Sequence, residues 1–252
     1  MSTSWRFSAG LALALAASAM VGVHGRGRRE GPTAAPRAGQ EDFAAIFGER
    51  YVEAANFLEK NAWIRGALRL SPEGTRLALA VVFPEIIRWS AIEDQIQVRA
   101  LKVLYVQYGP EYANFSIGRF QMKPSFIEFL EADWNRLASA EEKAETGIPA
   151  FAPGDTRELR RNRILRLDDL RWQVTYLRAF MLVMEKRYGR IAFRDADDRV
   201  RFYATAYNAG YAAGAKRLRQ EIGEKRFYTE LFFPKTTYNY ADIAVFFYRR
   251  GY

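Results

Sequence analysis

The sequence predicts an all-helical fold, and three observations support this prediction. Beyond residue 42, apolar residues recur at three- and four-residue spacing, as on one face of a helix. No segment alternates apolar and polar residues as a convincing strand. Gly and Pro residues stand where several periodic stretches end. The loops 111–118 and 189–194 leave room for one short hairpin.

The N-terminal residues are predicted to lie outside the helical domain. One positive charge, Arg6, precedes an apolar run from Leu11 to Val23, and small residues offer a cleavage site. This layout is typical of a secretory signal peptide over residues 1–25, because the run is short for a membrane span. An uncleaved anchor is the alternative. Residues 26–42 are basic and rich in Gly and Pro, which predicts a flexible linker.

Residues 43–252 are predicted to form one domain, exported to the periplasm or otherwise associated with the cell envelope. About 210 residues are enough for one sizeable core. No later stretch combines 18 apolar residues with an absence of charges, so we expect no integral membrane span beyond the signal segment.

The periodic stretches and their flanking residues predict the individual helices. In chain order these are 42–60, Thr75 to Glu85, Ile86 to Gln107, a helix with Ser116 as candidate N-cap, Thr156 to Tyr188, a helix capped by Asp195 or Asp197 and continuing through Ala213, and Tyr238–Tyr248. Tyr108-Gly109-Pro110 and Gly189 are predicted stop signals. Residues 139–156 contain several Gly and Pro and are predicted to form a loop.

The composition excludes several kinds of site. There is no cysteine, so disulfides are excluded. The only histidine, His24, lies in or beside the signal peptide, so the folded part has no Ser-His-Asp or Cys-His mechanism and no His-ligated zinc site. We expect no metal or cofactor, and carboxylates remain the main candidates for hydrolytic or eliminative chemistry.

The net charge of +9 indicates a polyanionic neighbour. Bacterial cell wall, anionic lipid headgroups and nucleic acid all fit this charge. Export makes nucleic acid the least favoured partner of the three.

Glu85 is the main candidate for acid/base chemistry. It lies in the apolar segment Val81–Ile87, and desolvation by such neighbours raises the pKa of a carboxyl. A general acid that works near neutral pH needs a raised pKa. Pro84 either removes a hydrogen bond in mid-helix or begins a new helical segment at a kink. The alternative is a surface glutamate whose apolar neighbours point elsewhere.

Two further segments carry candidate binding residues. In the first, Ser116 and Gly118 precede Gln121 and Met122, which are predicted in the first turns of a helix that presents backbone and an amide to a ligand. An ordinary capped helix is the alternative reading.

In the second segment, Tyr207 and Asn208 stand on a helix of small residues. The aromatic ring is predicted to pack on the apolar face of a sugar, and the amide to bind hydroxyl groups. The alternative is a closely packed helix that ends at Gly210.

Together these segments resemble the soluble lytic transglycosylase family of the lysozyme-like superfamily. The family pattern is an apolar helix that ends in a catalytic Glu, a Ser- and Gly-containing stretch closing in G-x-x-Q-x-x-P, an A-Y-N-x-G helix, and P-x-x-T-x-x-Y. The corresponding pieces here are Leu77–Glu85, Ser116 to Pro124, Ala206–Gly210 and Pro234 to Tyr240. Each piece alone is weak, but the order agrees over roughly residues 75–248.

The resemblance implies a lysozyme-like helical domain that cleaves the glycan strands of peptidoglycan. By this resemblance Glu85 is the acid/base, Gln121, Met122, Tyr207 and Asn208 line the glycan cleft, and Tyr240 closes the site near Glu85. The Ser116 and Gly118 positions belong to the same binding segment. Peptidoglycan is then the expected partner, and 1,6-anhydromuramoyl sugars are the expected products.

Two departures from the family pattern leave alternatives open. Ile86 replaces the usual Ser after the catalytic Glu, and the gap to Ser116 is long, which admits Glu93, Asp94 and Glu111 as rival acids. The usual Gly-Leu-Met-Gln core reads Gly118-Arg119-Phe120-Gln121. The alternatives are a catalytically inactive peptidoglycan-binding module of the same fold, a hydrolytic lysozyme, or a basic helical protein that docks on membranes or a partner.

Overall fold

The computed structural model describes residues 41–89, 95–150, 156–229 and 236–251. The predicted signal peptide and nearly all of the predicted linker lie outside these ranges. The predicted all-helical class is confirmed, because the described residues form twelve α-helices and a single two-stranded sheet.

The helices follow one another with short connections. They are α1 Phe43–Phe47, α2 Glu49–Lys60, α3 Trp63–Leu68, α4 Pro72–Trp89, α5 Gln95–Tyr108, α6 Pro124–Leu137, α7 Ala140–Thr146, α8 Arg157–Asp168, α9 Leu170–Tyr188, α10 Ala196–Ala209, α11 Ala215–Glu221 and α12 Tyr240–Arg249. A 3₁₀ turn, Tyr211–Ala213, follows α10. Strands β1 Lys225–Phe227 and β2 Tyr238–Asn239 pair antiparallel.

Helix α4 is the centre of the core. Every residue from Leu77 to Ile87 is buried, so the helix is enclosed on all sides. It packs against α2, α9, α10 and α12. Aromatic rings fix two of these contacts: Phe83 stacks on Phe247 of α12 with centroids 3.8 Å apart, and meets Tyr51 of α2 edge-on at 5.0 Å. Any side chain on α4 near its C-terminal half is therefore held rigidly.

Pro84 lies inside α4, and the helix continues to Trp89 without a new start. Of the two possibilities that the sequence left open, the mid-helix one holds. Proline has no N–H, so the carbonyl of Ala80 loses its helical donor at a cost of about 3 kcal/mol. Dense packing around α4 offsets this cost, since burial of apolar side chains contributes about 1.5–3 kcal/mol each.

Several predicted boundaries are confirmed. Asp195 is the N-cap of α10, and its carboxylate accepts a hydrogen bond from the Asp198 N–H at 2.8 Å. Helix α5 ends at Tyr108, the predicted stop, and α9 ends at Tyr188 before Gly189. Asp42 caps α1, so the folded part begins at the last residue of the predicted linker.

The prediction of a loop over 139–156 was wrong in its first half. Residues 140–146 form α7, which begins with a capping box in which Ser139 accepts from the Glu142 N–H and Glu142 accepts from the Ser139 N–H. This S-x-x-E signal stands in the sequence, but the nearby Gly and Pro residues outweighed it.

Other predicted helices differ at their ends. Asp169 divides the predicted helix from Thr156 to Tyr188 into α8 and α9, because its side chain caps α9. Helix α10 stops at Ala209, since Gly210 has φ +96°. Residues 238–239, predicted as helix, pair with β1 before α12 begins. The sheet lies outside both loops in which a hairpin was predicted.

The described helices include none that is both long enough and apolar enough to cross a bilayer. All described residues belong to one compact unit by their contacts.

Candidate functional site

An open cleft of about 430 Å³ lies where α4, the segment before α6, and the end of α10 meet. Most of the residues predicted to form a site line it. They are Glu85, Ser116, Gln121, Met122, Tyr207 and Asn208, and they are joined by Arg88, Asn114, Lys123, Ser125, Phe126, Phe129, Arg217 and the stretch from Ala209 to Ala213.

Glu85 stands on α4 at the edge of the core and faces this cleft. It is only 5% exposed, and its Oε2 atom has no hydrogen-bond partner among the described residues. Burial raises the pKa of Glu85 to about 7, while the positive charges of Arg88 and Lys123 lower it. The carboxyl is therefore protonated in about half of the molecules near neutral pH, and it can both give and take a proton.

Arg88 is the nearest charged neighbour of Glu85. It lies one turn further along α4, and its Nη1 atom is 3.8 Å from Glu85 Oε2. The distance is too long for a hydrogen bond. The guanidinium packs over the ring of Tyr228, 4.9 Å from its centroid, and stays on the side of the cleft.

The predicted helix capped by Ser116 is a tight turn instead. Ile117 and Met122 form an isolated antiparallel bridge, with N···O distances of 3.0 and 3.1 Å in the two directions. Gly118 and Gln121 within the turn both have positive φ, +71° and +48°. Helix α6 begins only at Pro124, after Lys123. Ser116 is therefore not an N-cap, and Gln121 and Met122 precede the helix.

Gln173 of α9 holds this turn from behind. It is fully buried, accepts a hydrogen bond from the Phe120 N–H at 2.9 Å, and donates to the Leu167 carbonyl at 2.7 Å. A Cβ atom on Gly118 would lie 1.7 Å from Gln173 Nε2. Gly118 does not line the cleft, but the close approach of Gln173 depends on it.

Gln121 turns its side chain back onto its own loop. Its Nε2 atom donates to the Gly118 carbonyl at 2.8 Å. A left-handed conformation costs a residue with a Cβ about 1–2 kcal/mol. The bond to Gly118 and the support from Gln173 stabilise the conformation, and they place Gln121 and Met122 in the wall of the cleft.

Arg119, the cation that replaces an apolar residue of the family motif, lies outside the cleft lining. Its guanidinium stacks 3.2 Å above the ring of Trp89 and lies 4.8 Å from the centroid of Phe57. Burial lowers the pKa of Arg119, and Glu53 raises it. The substitution thus links the turn to the end of α4 and to α2 without altering the cleft.

Tyr207 has a buried ring, contrary to the expected stacking on a sugar. The ring is 7% exposed and meets Phe126 and Phe180 edge-on, both at 5.3 Å. Its hydroxyl donates to the Phe120 carbonyl at 2.8 Å, so Tyr207 joins α10 to the turn. Asn208 beside it is exposed and lines the cleft.

Tyr240 lies behind Glu85 and does not line the cleft. Its hydroxyl donates to the Val81 carbonyl at 2.8 Å, one helical turn before Glu85. Burial raises the pKa of Tyr240 well above its usual value, with a smaller contribution from the Glu85 charge. Tyr240 is therefore a protonated donor that fixes the segment of α4 bearing Glu85.

The rival acids do not compete in the part of the chain that the structure describes. Glu111 is exposed and does not line the cleft. Glu93 and Asp94, like Pro234 of the predicted C-terminal motif, lie outside the described residues. Among the described residues that line the cleft, Glu85 is the one carboxyl.

Several cleft residues were missed by sequence reasoning. Phe129 on α6 is 63% exposed and is the most accessible aromatic ring in the cleft wall. Arg88, Lys123 and Arg217 add three cations. The proximity of Arg88 to Glu85 was readable from their i, i+3 spacing on a helix. The placement of Phe129 was not, because it depends on which face of α6 is buried.

No group of three or more His, Cys, Asp or Glu side chains suited to a metal ion occurs in the described ranges.

Comparisons with family models, with curated proteins and with solved structures found no match to this chain.

Proposed function

We propose that this protein cleaves the glycan strands of peptidoglycan between N-acetylmuramic acid and N-acetylglucosamine, with Glu85 as the single acid and base. The observation that carries the proposal is a buried carboxyl with a raised pKa, open to a cleft whose described lining has no other acid. The resemblance of the motifs to soluble lytic transglycosylases agrees with this chemistry.

In the first step Glu85 acts as the general acid. Its proton goes to the glycosidic oxygen, and the bond between that oxygen and C1 of the muramoyl sugar breaks. A pKa of about 7 suits this step, because the protonated form is well populated at neutral pH and the proton is still readily released. The rigid packing of α4 keeps the carboxyl in place.

In the second step the Glu85 carboxylate acts as the base. It takes the proton of the muramoyl C6 hydroxyl, whose oxygen bonds to C1 to give a 1,6-anhydro ring. No water is consumed, and the carboxyl returns to its starting form. An inverting hydrolase would use a second carboxylate roughly 6.5–9.5 Å away, and the described lining of the cleft supplies none.

The walls of the cleft offer groups suited to a sugar chain. The exposed ring of Phe129 gives an apolar surface for a pyranose face. Asn208, Asn114 and Ser116 offer amide and hydroxyl groups for hydrogen bonds to sugar hydroxyls and acetamido groups. Binding in this cleft brings a glycosidic oxygen close to Glu85.

This function requires the protein to reach the cell wall. The signal-peptide pattern of residues 1–25 predicts export, and the positive net charge suits an anionic wall. We accordingly propose a location in the periplasm or the cell envelope.

Digestion of purified sacculi by the wild type and by Glu85→Gln tests this function. We expect Glu85→Gln to release soluble fragments at least 100-fold more slowly, because a general acid contributes about 10²–10⁴-fold. Glu111→Gln is the matched control and should keep wild-type activity, since Glu111 is exposed and outside the cleft.

Equal inactivity of the wild type and of Glu85→Gln, with both still bound to sacculi, would contradict the proposal. Such a result would instead favour a non-catalytic module that binds the wall. The altered motif at Arg119 and Phe120 is the feature that keeps this second function in view.

A further inference from the structure

The cleft carries an excess of positive charge that acid/base chemistry does not use. Arg88, Lys123 and Arg217 line it, and among its described residues only Glu85 carries a negative charge. Arg217 is already paired with Glu221, with an N···O distance of 2.9 Å. Arg88 and Lys123 are the cations nearest in effect to Glu85, since both lower its pKa.

Arg88 is held in place without a complete set of partners. Its side chain is only 18% exposed, and its Nε atom is buried with no hydrogen-bond partner among the described residues. The ring of Tyr228 lies under the guanidinium at 4.9 Å, and that of Phe227 at 5.8 Å. Aromatic rings hold the group by its face and leave its N–H edge to other ligands.

The counter-charge of Arg88 is lost in the catalytically competent form. Glu85 Oε2 lies 3.8 Å from Arg88 Nη1 and makes no hydrogen bond to it. Glu85 must be protonated to act as an acid, and it then carries no charge. A partly buried cation without an anion is costly, so this form of the cleft favours a ligand that brings a negative group.

The other groups around Glu85 do not supply that charge. Tyr207 of α10 and Tyr240 of α12 face it, and burial raises the pKa of both hydroxyls well above the usual value, so both stay neutral. Lys123, just before α6, adds a second cation.

We propose that Arg88 and Lys123 form a carboxylate-binding subsite beside Glu85, which takes an acidic group of the glycan ligand. The inference rests on the proposed function for the identity of the glycan and specifies the ligand further: an acidic saccharide is bound in preference to a neutral one. The carboxylate accepts charge-assisted hydrogen bonds from the N–H edge of Arg88 and from Lys123 Nζ. In the bound state it replaces Glu85 as the counter-charge of Arg88.

A binding experiment on the full chain carrying Glu85→Gln tests the subsite without cleavage of the ligand. Two probes are compared by calorimetry: an oligosaccharide of alternating N-acetylglucosamine and N-acetylmuramic acid, and the same oligosaccharide with its carboxyls converted to amides. We expect the acidic form to bind about tenfold more tightly, because hydrogen bonds to charged groups contribute about 1.5–3 kcal/mol. Equal affinity of the two probes, or binding of neither, would overturn the proposal.

A second comparison assigns the preference to Arg88. In the Glu85→Gln background, Arg88→Gln should abolish the preference for the acidic probe. Arg65→Gln, which removes the same charge from an exposed position outside the cleft, should retain it. A preference that survives Arg88→Gln, or that is lost in Arg65→Gln, would contradict the assignment. If Arg88→Gln fails to fold, Arg88→Lys and the amide probe still decide the matter.

The outcomes separate this subsite from the catalytic proposal. Preference for the acidic probe in a protein that never cleaves sacculi would support the subsite and refute catalysis. Cleavage of sacculi by a protein with equal affinity for both probes would do the reverse.

Discussion

The side-chain amide of Gln173 occupies the space that a Cβ atom on Gly118 would need, with Nε2 1.7 Å from that position. The same amide accepts the Phe120 N–H and thereby supports the turn that carries Gln121 and Met122 into the cleft. One buried contact between α9 and the turn thus shapes a wall of the site.

Gly118→Ala should therefore destabilise the protein. The new methyl group would clash with Gln173, and φ of +71° is unfavourable for alanine. Together these effects should cost about 2–4 kcal/mol in the free energy of unfolding. Urea unfolding measures the loss. Gly66→Ala in α3 is the control: no atom lies within 4 Å of its Cβ position, so we expect a gain of about 0.5–1 kcal/mol. Equal stability of the two variants would contradict this account of the turn.

Glu85→Gln should stabilise the protein increasingly as the pH rises. The pKa of Glu85 is raised from 4.5 to about 7 in the folded state, so its protonated form favours folding. That contribution is fully present below pH 4.5 and is lost as the pH rises through 7. The loss amounts to about 3 kcal/mol, since one pKa unit corresponds to about 1.4 kcal/mol. Glutamine does not titrate and escapes it.

The difference in unfolding free energy between Glu85→Gln and the wild type, measured from pH 4 to pH 8, checks this prediction. Glu111→Gln serves as the control, because Glu111 is exposed. A pH-independent difference for Glu85→Gln would show that the carboxyl is not protonated by burial.

Cleavage of sacculi should fall as the pH rises through about 7, because the general acid loses its proton. Arg88→Gln should move this alkaline limb to higher pH, since the Arg88 charge lowers the pKa of Glu85. The pH profile of the cleavage rate checks the shift, with Arg65→Gln as the control of equal charge change. An unmoved limb, or one displaced to lower pH, would contradict the assignment of Glu85.

Glu131 is the centre of a buried ionic network, and its neutralisation should be costly. Its carboxylate accepts hydrogen bonds from Arg163 Nη2 at 2.9 Å, Arg166 Nη2 at 3.0 Å and the Tyr176 hydroxyl at 2.6 Å, which links α6 to α8 and α9. Breaking a buried pair leaves unpaired charges, so Glu131→Gln should lower the unfolding free energy by about 3–5 kcal/mol.

The matched control for that variant is Glu221→Gln. Its partner Arg217 is 70% exposed, and exposed pairs contribute about 0–1 kcal/mol. Thermal or urea unfolding distinguishes the two cases. A small loss for Glu131→Gln, similar to that for Glu221→Gln, would mean that the network contributes little to stability.

The sequence was sufficient for features that depend on local signals. The continuous apolar run before Glu85 predicted a buried helix, and α4 has that burial over Leu77–Ile87. Asp195 was recognisable as a cap because a carboxylate before a helix accepts its free N–H groups. The proximity of Glu85, Gln121 and Asn208 followed from the order of motifs in the family resemblance, and all three line one cleft.

Features set by contacts between distant segments were beyond the sequence. The positive φ of Gln121 depends on support from α9, so the turn read as the first turn of a helix. The ring of Tyr207 is buried because Phe126 and Phe180 converge on it from two other helices. Phe129 is exposed to the cleft because the opposite face of α6 packs on α8 and α9.

The central claim is that Glu85 acts alone as acid and base, and mass spectrometry of the fragments released from sacculi tests it most directly. The wild type should release muropeptides that end in 1,6-anhydro-N-acetylmuramic acid, and Glu85→Gln should release almost none. Fragments that end in reducing N-acetylmuramic acid, or equal release by Glu85→Gln, would contradict the claim.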